Sequence, residues 1–71
     1  MKNLVIFRKA KRWSQKKLAE KAGISQTYIS ELEAEKKQPT IPIVEKLALA
    51  LGVSISKLLD QKSQFPKMIV G

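Results

Sequence analysis

Residues 15–32 read QKKLAEKAGISQTYISEL, and this stretch decides the fold of the chain. Helix-forming residues run up to Gly23, and Ser25, a residue type favoured at helix N-caps, opens a second run. Each run has apolar residues spaced three or four apart, which mark one buried face. These residues are Leu18, Ala19, Ala22, Ile29 and Leu32. The pattern predicts two short helices that share a small core across a tight turn, which is a helix-turn-helix.

Two small residues fit the geometry of such a turn. Ala19 lies where the second helix would cross the first, and a larger side chain there would push the helices apart. Gly23 can adopt the positive φ that a sharp helix end requires. The alternative is an ordinary pair of helices joined by a glycine turn, and the spacing of the alanine, the glycine and the two apolar faces favours the helix-turn-helix.

Length and composition limit the chain to one small domain. Its 71 residues include no cysteine and no histidine, so disulfides are excluded and a zinc site would have to use carboxylates alone. We expect neither a metal nor a cofactor. The apolar run at residues 4–7 is too short for a signal peptide or a membrane span. We therefore expect a cytoplasmic protein with no membrane partner.

Positive charge is concentrated in the first third of the chain. Fourteen basic and six acidic residues give a net charge of +8. Residues 1–24 hold eight of the basic residues and one acidic residue, whereas residues 25–45 hold two basic and four acidic residues. Such an asymmetric field favours binding to a polyanion. On charge alone, a basic surface that is merely solvated is the alternative.

Five helices are predicted, at about residues 3–12, 14–22, 25–34, 41–51 and 55–60. No stretch alternates with the period of a strand, so the expected fold class is all-α. Ser14 and Thr40 are expected to cap the second and fourth helices, and Gly52 to end the fourth. Outside the opening stretch, the positions expected to be buried are Leu4, Phe7, Ile41, Val44, Leu47, Ala48, Leu51, Leu58 and Leu59.

The last residues depart from this pattern. Pro66 interrupts any further helix, yet Phe65 and Ile69 beside it are apolar. Such residues either fold back on the core or contact a second subunit, and the sequence leaves both open. We divide the chain into a helix-turn-helix domain, residues 1–60, and a tail, residues 61–71, that is a candidate for dimerisation.

The exposed side of the third predicted helix carries short polar groups that suit base edges. Gln26 matches the N6 and N7 atoms of adenine, Thr27 a thymine methyl group, and Glu31 the N4 amino group of cytosine. With Ser30, these residues are the predicted base contacts. For Gln26 and Thr27 the alternative is capping of their own helix. Glu31 would be repelled by phosphates unless a base or a lysine receives its charge.

Phosphate contacts are expected from the residues around this helix. Gln15 lies in the first turn of the second predicted helix, where free N–H groups and the helix dipole favour an anion. The other candidates are Lys16, Lys17, Tyr28, Lys36 and Lys37. For any single lysine, solvated surface is the alternative.

Together these motifs resemble a known family. The pattern LxxFR, followed by SQxxLAxxAGISxxYISxLE, PTI and LAxALGVS, resembles the Xre/Cro/C1 family of bacterial and phage repressors over about residues 3–60. The resemblance implies a compact five-helix domain that binds operator DNA as a homodimer. It implies that Gln26, Thr27 and Glu31 contact bases and that Gln15 contacts a phosphate. It also implies a structural ion pair between Arg8 and Glu33.

Two residues depart from the family pattern. Glu35 stands where the family often has glycine, which removes an easy left-handed cap and places an acid near the expected phosphate path. This leaves the course of the loop at residues 36–39 open. Trp13 replaces a residue that is commonly smaller and aliphatic, and it either packs in the core or covers a surface near the DNA.

The sequence as a whole predicts a sequence-specific transcriptional regulator of the repressor type. It would bind double-stranded DNA as a homodimer, with its third helix in the major groove. The dimer surface is expected at Val53 and Ile55, together with Phe65 and Ile69 of the tail.

Three other classes of protein are alternatives to this one. An antitoxin-like module would bind DNA and also sequester a protein partner through its apolar tail. RNA binding is disfavoured because exposed aromatic residues are not interleaved with the basic ones. An enzyme is the least expected class, since catalysis without histidine or cysteine would depend on Glu31, Glu33 and Glu35.

Overall fold

Five α-helices follow one another in the computed structural model, which describes residues 1–59. They are α1 (Lys2–Ala10), α2 (Gln15–Ala22), α3 (Gln26–Glu33), α4 (Ile41–Leu51) and α5 (Ile55–Leu59). No strand occurs among these residues, so the prediction of an all-α fold is confirmed. The first and last residues of each predicted helix lie within two residues of those of the observed helix. The tail, with Phe65 and Ile69, falls outside the described residues.

Hydroxyl side chains begin four of the helices, and at α5 the Ser54 hydroxyl accepts from the N–H of Lys57 at 3.1 Å. Ser14, Ser25 and Thr40 are the N-caps of α2, α3 and α4. Each hydroxyl oxygen accepts a hydrogen bond from the backbone N–H three residues later, at 3.0, 3.0 and 3.4 Å respectively. Such a cap satisfies one of the N–H groups that the first turn leaves without a partner. The sequence therefore fixes where the two helices of the opening stretch begin.

The turn between α2 and α3 is closed at Gly23. This glycine has φ 71° and ψ 37°, in the left-handed region. The backbone N–H groups of Gly23 and Ile24 both donate to the carbonyl of Ala19, at 2.9 and 3.0 Å. A Cβ at Gly23 would meet nothing within 4 Å, so the backbone conformation, and not space, favours glycine here. Ala19 itself is buried, as its small size predicted.

The core lies between the helices and is apolar throughout. In the described chain, α2 packs against α3 and α4, α1 packs against α3 and α5, and α4 packs against α5. The amide of Asn3 also donates to the carbonyl of Lys57 at 3.0 Å, which ties α1 to α5. The buried residues are Leu4, Leu18, Ala19, Ala22, Ile29, Leu32, Val44, Leu47, Ala48, Leu51 and Leu58.

Two predictions of burial are wrong. Ile41 has the spacing of the buried face of α4, but its side chain is 65% exposed because nothing in the described part of the chain covers the first turn of this helix. Leu59, at the end of α5, is 38% exposed. Phe7 is partly buried and packs against the core.

The first helix ends earlier than predicted. It stops at Ala10, and Arg12 adopts a left-handed conformation with φ 61°. This turn redirects the chain so that Trp13 packs against the core. Among residues 1–59, no helix has the length and apolar character required to cross a membrane.

Candidate nucleic-acid interface

One open groove brings together residues from the two helices of the opening stretch. Its lining consists of Gln15 at the start of α2 and of the four residues of α3 predicted to read bases, which are Gln26, Thr27, Ser30 and Glu31. Gln26, Thr27 and Ser30 are exposed and Glu31 is half-buried. The helix-turn-helix geometry produces this arrangement, because Ile29 and Leu32 on the opposite side of α3 are fully buried. The amides and hydroxyls that line the groove can both donate and accept hydrogen bonds, whereas the Glu31 carboxylate can only accept them.

Gln15 is fixed by a network that the sequence did not reveal. Its side-chain amide donates to the Oε1 atom of Glu33 at 2.9 Å. An amide nitrogen carries two hydrogens, so one remains to donate elsewhere. Gln15 is also the first residue of α2, where backbone N–H groups lack helical partners and the helix dipole is positive. An anion at this point of the groove would therefore meet several donors.

The partner of Gln15 belongs to an ion pair between α1 and α3. The Nε and Nη2 atoms of Arg8 donate to the two carboxylate oxygens of Glu33, at 2.6 and 3.0 Å. This bidentate pair is the one that the family resemblance implied. The Nη1 atom of Arg8 donates to the carbonyl of Trp13 at 2.8 Å. The side chains of Arg8 and Glu33 are only 11% and 8% exposed, so the network is largely shielded from water.

These contacts keep Glu33 ionised. Burial by itself would raise the pKa of Glu33, because a desolvated carboxylate is destabilised. The hydrogen bonds from Arg8 and Gln15 and the charges of Arg8 and Lys9 act in the opposite direction and prevail, so the pKa of Glu33 lies below its usual value of 4.5. Gln15 is thus held by a carboxylate that remains charged at neutral pH.

Glu31 has a lysine partner. The Nζ atom of Lys37 lies 3.2 Å from the Oε1 atom of Glu31, and the two side chains are 51% and 38% exposed. The same Nζ atom lies 5.3 Å from the centre of the Tyr28 ring. The sequence argument required a base or a lysine to receive the charge of Glu31, and Lys37 of the same chain does so.

The other lysines predicted to contact phosphate are exposed. Lys16, Lys17 and Lys36 all have exposed side chains. Lys16 also lines a second groove with Glu20 and Gln26, beside the glycine turn. Their exposed positive charge is available to a polyanion.

The turn after α3 is left-handed in spite of its sequence. Glu35 has φ 61° although it is not a glycine. Its N–H donates to the carbonyl of Leu32 at 3.1 Å, and the N–H of Lys36 donates to the carbonyl of Glu31 at 2.9 Å. The helix end therefore folds back as a glycine would allow, at some cost in strain.

Trp13 is not among the residues that line the groove. It packs partly against the core, and the Nζ atoms of Lys11 and Lys21 lie 5.3 and 5.8 Å from the centre of its ring. Both cations are within the range of a cation–π contact. Of the two alternatives that the sequence left for Trp13, the structure shows packing against the core, with the ring only partly buried.

The predicted dimer surface is described only in part. Val53 is half-buried and packs against the core, whereas Ile55 is 39% exposed. The other two predicted residues, Phe65 and Ile69, lie outside the described residues. The exposed large apolar side chains of the described chain also include Ile6, Ile41 and Leu49.

The fold agrees with comparisons to known proteins. A family model described as helix-turn-helix matches residues 5–58, which is most of the chain. The chain belongs to the Xre-type helix-turn-helix family. The resemblance drawn from the sequence motifs is therefore confirmed.

Named relatives in this family are regulators of transcription. The chain is 41% identical over 59 residues to the HTH-type transcriptional regulator SinR of Bacillus subtilis, covering 82% of this chain and 53% of SinR. It is 32% identical over 57 residues to the immunity repressor protein of Bacillus phage phi105, covering 80% of this chain and 40% of that protein. The chain spans about half the length of the first curated relatives it matches.

Solved structures of SinR have the same fold. A crystal structure of SinR in complex with DNA matches 83% of this chain and 95% of that chain, with a TM-score of 0.80 and 38% identity. A complex of the SinR and SinI proteins matches 97% of this chain and 73% of that chain, with a TM-score of 0.82 and 35% identity.

Proposed function

We propose that this protein is a transcriptional repressor that binds double-stranded operator DNA as a homodimer, with α3 in the major groove. The observation that carries the proposal is the groove in which Gln15 adjoins Gln26, Thr27, Ser30 and Glu31. In a helix-turn-helix, the second helix reads base edges while the first contacts the backbone. The net charge of +8 and the DNA complex of SinR support the same function. Such a protein works in the cytoplasm and needs neither catalysis nor a cofactor.

The roles of the groove residues follow from their chemistry. Gln26 can donate to and accept from adenine, Thr27 offers a methyl and a hydroxyl group, and Glu31 can accept from cytosine N4. Ser30 can hydrogen-bond to several bases. Gln15 would hold a phosphate between its free amide hydrogen and the first N–H groups of α2. The remaining phosphate contacts are assigned to Lys16, Lys17, Tyr28, Lys36 and Lys37.

A selection of bound sequences from random double-stranded DNA tests the function directly. We expect one enriched motif that consists of two inverted half-sites about one helical turn, roughly 34 Å, apart. Recovery of unrelated sequences would overturn sequence-specific binding. An enriched single half-site, together with a monomer in size measurements both free and on the selected DNA, would overturn the homodimer.

A second candidate is a DNA-binding module that also binds a protein. The observation in its favour is the outer face of α4, where Ile41 and Leu49 are 65% and 84% exposed and lie eight residues apart. The complex of SinR with SinI gives a precedent within the family. A defined partner that binds the wild type but not Leu49→Glu, while both bind the selected DNA equally, would support this function. Loss of DNA binding in Leu49→Glu would contradict it.

A further inference from the structure

The Glu31 carboxylate poses an electrostatic problem for the proposed interface. It lines the groove together with the predicted base contacts. A helix that enters the major groove passes between two phosphate backbones, which repel an unpaired carboxylate. Only a cation beside Glu31, or a donor on the DNA, removes this repulsion.

Lys37 lies where it neutralises this carboxylate. Its Nζ atom is 3.2 Å from the Oε1 atom of Glu31 and 5.3 Å from the ring centre of Tyr28. Two independent contacts, one with an anion and one with an aromatic face, therefore hold the same ammonium group. A carboxylate has two oxygens and about four acceptor positions. Glu31 can consequently pair with Lys37 and still accept a hydrogen bond from a base.

The backbone brings Lys37 to this place. The N–H of Lys36 donates to the carbonyl of Glu31 at 2.9 Å, across the left-handed Glu35. This reversal returns the chain after α3 towards the reading face. Because both side chains of the Glu31–Lys37 pair are about half exposed, the pair adds little to folding stability.

We propose that Lys37 is a positioning residue for Glu31 and not simply one more phosphate contact. It neutralises the carboxylate and orients it so that Glu31 accepts a hydrogen bond from the N4 amino group of a cytosine. The inference rests on the proposed function, in which α3 lies in the major groove. It makes a specific claim about energy: the contribution of Lys37 to DNA binding depends on the presence of the Glu31 carboxylate.

A double-mutant cycle on DNA tests this dependence. The proteins are the wild type, Lys37→Ala, Glu31→Gln and the double variant. The probes are the duplex selected by the wild type and a set in which each G·C pair of that duplex is replaced in turn by A·T. Lys36→Ala, alone and combined with Glu31→Gln, is the matched control, because Lys36 is an exposed neighbour with the same charge. Thermal melting of each protein shows that it is folded.

We expect Glu31→Gln to lose the preference for one G·C pair while it still binds the rest of the duplex. We expect Lys37→Ala to reduce the affinity for the selected duplex when Glu31 is present. This reduction should be at least about threefold larger than the one that Lys37→Ala causes in the Glu31→Gln background. Lys37→Arg should restore the binding lost in Lys37→Ala. Lys36→Ala should weaken binding by the same factor in both backgrounds.

Two results would overturn the inference. One is an equal loss from Lys37→Ala in both backgrounds, which would make Lys37 an ordinary phosphate contact. The other is a base preference that Glu31→Gln leaves unchanged at every G·C pair. Failure of the proposed function itself is distinguishable, because the wild type would then bind the selected duplex and a scrambled duplex equally.

Discussion

At the scale of single residues, the best-defined contact is the bidentate pair of Arg8 and Glu33. Both side chains are nearly buried, and Glu33 also accepts from Gln15. Breaking a buried pair leaves one charge without compensation, which typically costs about 3–5 kcal/mol. Replacing both partners with apolar residues of similar size is often close to neutral. The pair therefore connects the stability of the fold to the position of a predicted DNA contact.

We expect Arg8→Ala to lower the free energy of unfolding by about 3–5 kcal/mol, because it leaves Glu33 charged and buried. Arg8→Met combined with Glu33→Leu should recover most of that loss. Urea denaturation of the three proteins measures both effects. A loss under about 1 kcal/mol in Arg8→Ala would show that water shields the pair and that the described burial does not persist in solution.

The pH dependence of stability follows from the lowered pKa of Glu33. The unfolded chain takes up a proton at this carboxyl near the usual pKa of 4.5, whereas the folded chain does so only at lower pH. Its stabilising effect is therefore fully present above about pH 4.5 and is lost as the pH falls through the folded pKa. The stability difference between wild type and Glu33→Gln should stay constant near neutral pH and shrink in acid. A difference that remains constant down to about pH 3 would contradict this.

At the scale of helices, the sequence predicted most of what the structure contains. The spacing of apolar residues, the N-cap residues and the glycine at position 23 locate the helices, because these signals depend only on nearby residues in the sequence. Ile41 was misplaced because periodicity identifies a face but not the extent of the partner surface that covers it. The hydrogen bond from Gln15 to Glu33 and the pairing of Lys37 with Glu31 were not predicted as specific contacts. Both depend on how separate segments meet in three dimensions.

Two of the left-handed residues that follow helices provide a matched test of backbone strain. Gly23 and Glu35 have φ 71° and 61°, one with and one without glycine. Gly23→Ala should cost about 1 kcal/mol, since a Cβ there meets no atom but favours a different φ. Glu35→Gly should stabilise the protein by about 0.5–1 kcal/mol, whereas Glu35→Ala, which keeps a Cβ, should not. Thermal denaturation measures the stability of these variants. Equal stability of Glu35→Gly and Glu35→Ala would contradict the claim that the left-handed conformation at Glu35 is strained.

At the scale of the whole molecule, charge and shape act together. The basic residues are concentrated in the first third of the sequence, and the lysines of α2 are exposed. Motif and charge were sufficient to predict the family, and they predict the face proposed to meet a polyanion. They could not reveal how the acidic residues of α3 are accommodated. The structure answers this with one buried pair, Arg8 and Glu33, and one exposed pair, Lys37 and Glu31.

Binding should weaken steeply as salt increases, because lysine–phosphate contacts release counterions. In a plot of log affinity against log salt concentration, Lys16→Ala and Lys17→Ala should each reduce the slope by about one unit. Lys46→Ala, which removes an exposed lysine of α4 that is not assigned to the interface, is the control and should leave the slope nearly unchanged. Equal slopes for all of these proteins would contradict the assigned phosphate contacts.

The central claim is that α3 reads base edges, and Gln26 is the residue that tests it most directly. The measurement is the affinity of wild type and Gln26→Ala for the selected duplex and for a scrambled duplex, with Gln38→Ala, an exposed glutamine outside the groove, as the control. We predict that Gln26→Ala loses about 1–3 kcal/mol of discrimination between the two duplexes and keeps its affinity for the scrambled duplex. Gln38→Ala should keep the discrimination of the wild type. An equal loss of affinity for both duplexes would contradict the claim.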